Sequence, residues 1–232
     1  MIEDLMIEDL KRRFWTPLAA QHKAGAWDEL KARYSEIGRA YHSWIHIADL
    51  LRKLEDLSDL AVCSSMIATA IFWHDSVYLT RSTNGYPRTD RENVKDSAEL
   101  FRTYTLLDRP RRDAVYNMIM ATSDHRRAKA ESPHYPGFSD DLDLFLDLDL
   151  SSLGGSWKEF KDNFTRIRSE FSWLPESDFL SLQLQNLEKF AMDDTELYRR
   201  IETRAKWASS AKSNLTRCIA DLKKRACAKS IK

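Results

Sequence analysis

The sequence contains few of the residues that interrupt helices, with six Gly and six Pro among 232 residues. This scarcity argues against a fold rich in hairpins and tight turns, because such turns draw on Gly and Pro. Cysteine is also rare. The three that occur, Cys63, Cys218 and Cys227, are odd in number and lack metal-ligand spacing, which argues against a disulfide framework. Reduced thiols are typical of a reducing compartment, so we expect a cytoplasmic protein.

An excess of one charge and a long apolar run are both missing. Lys and Arg total 36, and Asp and Glu total 36, so no overall field favours nucleic acid or a membrane surface. The longest apolar run, MIATAIFW at 66–73, is too short to span a bilayer, and the N-terminus lacks a signal peptide's basic region. We therefore expect no nucleic-acid partner and no membrane partner, and the sequence leaves the oligomeric state open.

Helical periodicity is what the sequence does contain. Apolar residues recur at spacings of three and four almost throughout, which predicts an all-α fold, a compact bundle of several helices. The length and the 43% hydrophobic content suit one domain, 1–232, with its core at about 27–220. Turn formers predict exposed loops at 80–90 and 131–139. The predicted helices are 4–22 with a break at Pro17, 27–57, 58–73 capped by Ser58, 91–108, 111–127, 156–172, 176–191 and 193–226.

The segment DLDLFLDLDL at 141–150 alternates Leu with Asp, as a strand would. A helix is favoured, because a single strand would have no partner in an otherwise helical chain. Buried carboxylates are costly unless they are paired or bound to a cation, so Asp147 and Asp149 require an explanation.

Two pairs of residues are the strongest candidates for a functional site. In FWHDSVY, at 72–78, His74 and Asp75 end an apolar helix, and on their own they could simply cap the helix and start a turn. Neighbouring helical positions point about 100° apart, so both reach one ion only if it lies between the two directions. In YHSWIHIADL, His42 and His46 are four positions apart, on one face of the predicted helix 27–57.

The ordered set of His46, then His74 with Asp75, then Asp149 resembles the HD superfamily of metal-dependent phosphohydrolases. RAYHSWIHI, FWHDSVY, ATSDH, FLDLDLSSLG, IRSEF and AKSNL are similar to successive blocks of the bacterial predicted HD phosphohydrolases, from about 39 to 220. The resemblance implies an HD-type helical domain with a metal site between helices. The implied metal ligands are His46, His74, Asp75 and Asp149.

The block YHSWIHIADL is also similar to one in cyclic-nucleotide phosphodiesterases. That likeness implies that His46 is a metal ligand and that His42 is a general acid or a group supporting a ligand. The alternative is that His42 packs beside Tyr41 and hydrogen-bonds a neighbouring helix. Asp147 competes with Asp149 as a ligand, and the phosphodiesterase-like DLS at 149–151 favours Asp149.

Other polar residues have weaker assignments. His125 ends the predicted helix 111–127 and is followed by Arg126 and Arg127, which could meet a substrate phosphate or, for the His, a second metal. The alternative is a helix C-terminus favoured by cationic side chains. Asn214 in AKSNL is interpreted as structural, and His22 and His134 as surface or loop residues. In NVKDSA, at 93–98, Val94 stands where the related bacterial group has Glu, which puts a substrate or second-metal role there in doubt.

Imidazoles and carboxylates form a mixed nitrogen and oxygen site, suited to divalent Mn, Mg, Fe, Co, Ni or Zn. The expected activity is metal-dependent hydrolysis of a small phosphorylated metabolite, a phosphomonoester or nucleotide, by metal-activated water, with His42, Asp75 and His125 catalytic. One alternative is an HD-type di-iron oxygenase, for which His42 and His125 are the candidate extra ligands. The other is a non-catalytic binding or regulatory protein that contains a metal.

Overall fold

The computed structural model describes residues 2–125, 135–192 and 197–229, with the backbone alone at 192 and 226–229. The predicted all-α class is confirmed, and no β-strand occurs within those ranges. The ten α-helices of this part of the chain are α1 (Ile2–Leu10), α2 (Ala26–Tyr34), α3 (Trp44–Asp56), α4 (Ser64–Trp73), α5 (Asp90–Tyr104), α6 (Arg109–Ala121), α7 (Phe138–Asp149), α8 (Trp157–Glu170), α9 (Glu176–Met192) and α10 (Ile201–Lys229).

The chain divides into two compact units, Met1–Leu148 and Asp149–Lys232. In the first unit, α4 packs against α3, α5 and α6, and its residues from Met66 to Trp73 are all buried. This accounts for the apolar run seen in the sequence, since α4 is a central helix covered on every side. The assignment of the whole chain to one domain stays a prediction.

The second unit has an aromatic core of its own, centred on Phe160, Phe171 and Phe179. Its α10 packs against α8, α9 and a short 3₁₀ helix, Leu150–Gly154. Asn214 of α10 donates from Nδ2 to the carbonyl oxygens of Leu153 and Gly155, both at 2.9 Å. The structural interpretation of Asn214 is therefore confirmed.

The predicted helix 27–57 is wrong as a single element. α2 ends at Tyr34, a turn region occupies 35–43, and α3 begins at Trp44. Gly38 has φ +99°, a left-handed conformation that breaks a helix, and the Ser43 side chain accepts a hydrogen bond from the Ile45 N–H as the N-cap of α3.

Other boundaries also differ from the predictions. The first helical segment is continuous through 2–21, but it changes from α1 to a π-helix at Lys11–Trp15 and a 3₁₀ helix at Thr16–Gln21, with Pro17 in the first turn of the last. Ser58 opens a separate 3₁₀ turn and does not cap α4, whose N-cap is Cys63. His22, predicted to be a surface or loop residue, lies between helices, but a surface position is wrong, because its side chain packs between Trp15 and Trp73 and it is 5% exposed.

Several local predictions are confirmed. The predicted loop at 80–90 lies between α4 and α5 except for Asp90, which is the first residue of α5. The helix starts with a capping box formed by Thr89 and Glu92. Pro110 occupies the first turn of α6 after the N-cap Asp108. The DLDLFLDLDL segment is helical. Residues 131–134 of the second predicted loop, which include His134, lie outside the described residues, as do Arg126 and Arg127.

Asp141 shows how protein donors satisfy one buried carboxyl group of α7. The side chain is fully buried and accepts hydrogen bonds from the backbone N–H groups of Val62 and Cys63, at 2.7 and 2.9 Å. The hydroxyl of Tyr135 donates a third, at 2.8 Å. Three donors offset the loss of hydration that burial of this side chain entails.

Candidate metal centre

His46 is placed by the apolar face of α3. Leu50 follows it by one turn and Leu54 by two turns. All three residues are buried, and His46 is only 4% exposed. Residues four apart on a helix share a face, so the packing of the two leucines fixes the direction of the imidazole. The ring points into the first unit and away from solvent.

His74 follows the last residue of α4 and is 1% exposed. Its Nδ1 lies 2.9 Å from the carbonyl oxygen of Ile71, and a carbonyl only accepts, so Nδ1 carries the proton. When the ring is neutral, its lone pair therefore lies on Nε2. A backbone carbonyl that fixes a histidine tautomer in this way is characteristic of metal-ligating histidines.

Asp75 turns back toward His74 because the helix stops. Both the N–H and the hydroxyl of Ser76 donate to the carbonyl oxygen of Trp73, at 3.2 and 2.8 Å, which closes a turn at the end of α4. In a continuous helix the two side chains would diverge by about 100°. In the turn, Oδ2 of Asp75 lies 3.2 Å from Nε2 of His74.

The three side chains form a triangle of potential ligand atoms. Nε2 of His46 lies 3.3 Å from Nε2 of His74 and 3.8 Å from Oδ2 of Asp75, and the third side measures 3.2 Å. A circle through three such points has a radius of about 2.0 Å, close to the usual length of a bond from a divalent metal to imidazole nitrogen or carboxylate oxygen. The group His46, His74 and Asp75 could therefore hold a metal ion.

The charge state of Asp75 suits this role. Burial acts to raise the pKa of Asp75, but protonated His74, through its charge and its hydrogen bond, and then the charges of protonated His42 and His46 outweigh it. The pKa of the carboxyl is lowered well below its usual range, so the carboxylate is ionised at neutral pH.

The prediction that His42 lies on the same helix as His46 is wrong. His42 belongs to the turn before the N-cap Ser43, and its ring stacks on Tyr78 with centroids 3.6 Å apart and planes at 17°. It is nevertheless beside the cluster, because its ring centroid lies 6.3 Å from that of His46 and its charge acts on Asp75. Stacking on Tyr78 takes the place of the helix in positioning this imidazole.

His125 follows the end of α6, and Asp149 lies at the boundary between the two units. The prediction that His125 ends a helix is wrong, since α6 stops at Ala121 and His125 has φ +52°, a left-handed conformation that ends helical structure. Its catalytic role stays a prediction. Asp149 is the last residue of α7 and the first residue of the second unit, and it is half-buried, whereas Asp147 is fully buried. The role of Asp149 as a fourth ligand stays a prediction.

Sequence reasoning missed three residues that hold the backbone beyond the His-Asp pair. Arg39 donates to the carbonyl oxygen of Asp75, while Asn93 and Ser97 bind the backbone of the segment 77–79. Arg39 lies within RAYHSWIHI, a block that carries the family resemblance, whereas Asn93 and Ser97 lie within NVKDSA, where the sequence departs from the family pattern. Position within or beside these motifs assigns no role to any of the three, and only the tertiary contacts do so.

Comparisons of this chain with protein-family models, with curated proteins and with solved structures find no match. None of the helices within the described ranges is both long and apolar enough to cross a membrane.

Proposed function

We propose that this chain is a metal-dependent phosphohydrolase of the HD type, which cleaves a phosphomonoester or nucleotide from among small phosphorylated metabolites. The observation that carries the proposal is the convergence of His46, His74 and Asp75 onto one point from two separate helices. The order of these residues along the chain matches the one that defines the HD resemblance. Asp149 is proposed as the fourth ligand on that resemblance alone.

The donor set supports a divalent ion without selecting one. Two imidazole nitrogens and a carboxylate oxygen suit Mn, Fe, Co, Ni or Zn, and Mg accepts the oxygen donors. When bound, such an ion would lower the pKa of a coordinated water toward about 7 and offset charge on a phosphoryl oxygen.

The side chains of the chain itself supply the remaining parts of the proposed reaction. Asp75 stays ionised and contributes negative charge, and His74 presents the lone pair of Nε2 because Ile71 holds the proton on Nδ1. His42 is half-buried beside the cluster, so its imidazole is proposed to give a proton to the leaving oxygen. Stacking on Tyr78 would keep that ring in place during the transfer.

A phosphate-release screen tests the proposal. Chelator-treated protein is supplied in turn with Mn, Mg, Co, Fe, Ni or Zn and assayed against nucleotides and sugar phosphates. We expect release that depends on the metal and is lost in Asp75→Ala. The matched control is Asp49→Ala, which removes an exposed carboxylate of α3 that pairs with Lys53 and should keep full activity.

The alternative functions give different results in the same preparation. A di-iron oxygenase would contain two irons and consume oxygen, and a binding protein would retain metal without turnover. Absence of phosphate release with every metal and substrate class would contradict the hydrolase.

A further inference from the structure

The segment that follows the His-Asp pair is held by side chains of α5. Asn93 accepts from the N–H of Leu79 through Oδ1 and donates to the Leu79 carbonyl through Nδ2, both at 3.0 Å. One turn later, the hydroxyl of Ser97 accepts from the N–H of Val77 at 3.0 Å and donates to its carbonyl at 3.2 Å. Asn93 and Ser97 are 3% and 0% exposed. Two buried side chains of α5 thus pair with the backbone N–H and carbonyl groups of residues 77 and 79, in a segment that has no regular structure.

Arg39 holds the backbone immediately before this segment, at Asp75. Its Nη2 donates to the carbonyl oxygen of Asp75 at 2.7 Å, and its side chain is only 4% exposed. The guanidinium lies over the rings of Tyr34 and Tyr78, at 5.1 and 5.9 Å from the centroids, and Nε lies 3.4 Å from Oε2 of Glu36. Arg39 therefore ties the turn region 35–43 to the peptide of a candidate metal ligand.

This arrangement is costly for Arg39. Nη1 is buried and has no hydrogen-bond partner in the part of the chain that the structure describes, and neither has Nε beyond its ion pair with Glu36. Burying a cation with unfilled donors costs free energy, and a neutral donor could bind one carbonyl at lower cost. Costs of this kind occur where the position of the bound group matters to function.

We propose that Arg39 is a positioning residue for the metal centre, assisted by Asn93 and Ser97. By fixing the peptide of Asp75 outside any helix, it keeps the carboxylate 3.2 Å from Nε2 of His74, ready to bind an ion. Outer contacts that orient ligands commonly contribute 10-fold to 100-fold to metal affinity. The inference rests on the metal centre of the proposed function, but not on phosphate hydrolysis.

Cobalt titration of purified full-length protein tests this role, because the visible absorption of Co²⁺ reports both affinity and coordination geometry. We expect Arg39→Met to bind Co²⁺ at least about 10-fold more weakly and with an altered spectrum, and Arg39→Lys to recover part of the affinity through its own donor. The matched control is Arg33→Met. Arg33 pairs with the same Glu36 and with Glu29, is 37% exposed and does not contact Asp75, so affinity should stay within about 2-fold of wild type.

Ser97→Ala provides a second variant if Arg39→Met fails to fold, as judged by circular dichroism. It removes both bonds to Val77 and should also weaken Co²⁺ binding. Wild-type affinity and spectrum in a folded Arg39→Met or Ser97→Ala would overturn the positioning role while leaving the proposed function intact. Wild-type protein that binds Co²⁺ but releases no phosphate would instead contradict only the hydrolase, and wild-type protein that binds no Co²⁺ would overturn both.

Discussion

Nε2 of His46 and Nε2 of His74 lie 3.3 Å apart, although 28 positions separate the two residues along the chain. When His74 is neutral with its proton on Nδ1, the lone pair of its Nε2 faces His46, and the ionised Asp75 adds a second acceptor beside it. Acceptors that converge in a buried site repel one another unless a cation or proton lies between them.

Metal should therefore stabilise the fold. Addition of Co²⁺ or Zn²⁺ to chelator-treated protein should raise the free energy of unfolding by about 2.7 kcal/mol at a free metal concentration 100 times the Kd. Thermal denaturation with and without metal measures this. His74→Ala should show no such increase, and an equal increase in that variant would place the bound metal elsewhere.

His42→Phe separates proton transfer from positioning. Phe keeps an aromatic ring that can stack on Tyr78 but cannot donate a proton, so turnover should fall by about 100-fold to 10,000-fold while metal content is kept. Phosphate release and metal analysis of the same sample give both quantities. Normal turnover in the variant would assign His42 to packing.

His22 should make stability depend on pH. Burial lowers the pKa of His22 from its usual 6.5, more than its hydrogen bond to Leu18 raises it. Nδ1 donates to the Leu18 carbonyl and Nε2 accepts from the Trp73 indole N–H at 3.2 Å, so protonation of Nε2 would break the second bond.

Because the folded state holds the proton less tightly than the unfolded chain, the contribution of His22 is complete above pH 6.5 and is lost as the pH falls below it, at no more than about 1.4 kcal/mol per pH unit. Urea denaturation between pH 5 and pH 8 measures the slope. His22→Phe should be less stable at pH 8 but less sensitive to acid, and slopes equal in the two proteins would refute the assignment.

Gly154 allows α10 to approach the 3₁₀ helix of the second unit. A Cβ at this position would lie 2.5 Å from Cβ of Trp207 and 2.8 Å from its carbonyl oxygen. Gly154→Ala should lower the free energy of unfolding by about 1–3 kcal/mol, the usual cost of overpacking.

Gly155→Ala is the matched control for that change. The atom nearest to the added Cβ would be Oε2 at the end of the flexible Glu159 side chain, at 3.1 Å, other neighbours would lie at an ordinary 3.6 Å, and φ is −69°. Urea denaturation should show a much smaller loss than for Gly154→Ala. Equal losses in the two variants would mean that contact with Trp207 is not the cause.

Periodicity was sufficient for the all-α class and for the helical state of α7, because apolar spacing records which face of a helix is buried. It could not reveal the break at 35–43, where the left-handed Gly38 interrupts a pattern that continues on both sides. The error moved His42 onto a helix that it does not occupy. The local pattern alone does not distinguish one long helix from two shorter helices whose apolar residues continue the same periodicity.

In the candidate site too, some residues could be predicted from the sequence and others could not. His46, His74 and Asp75 were predicted from their order and resemblance, and they do converge. Arg39 gave no such signal, since a lone Arg beside a turn resembles a surface residue until its contact with the Asp75 carbonyl is known. His22 was misplaced for a related reason, because its partner Trp73 is distant in sequence.

Metal content after purification tests the central claim most directly. Wild-type protein purified anaerobically and analysed by plasma mass spectrometry should carry about one equivalent of a divalent metal or more, and Asp75→Ala should carry almost none. Asp49→Ala should match wild type, because its carboxylate pairs with Lys53 on the exposed side of α3. Equal metal content in wild type and Asp75→Ala, or none in wild type after incubation with each candidate ion, would contradict a metal centre at His46, His74 and Asp75.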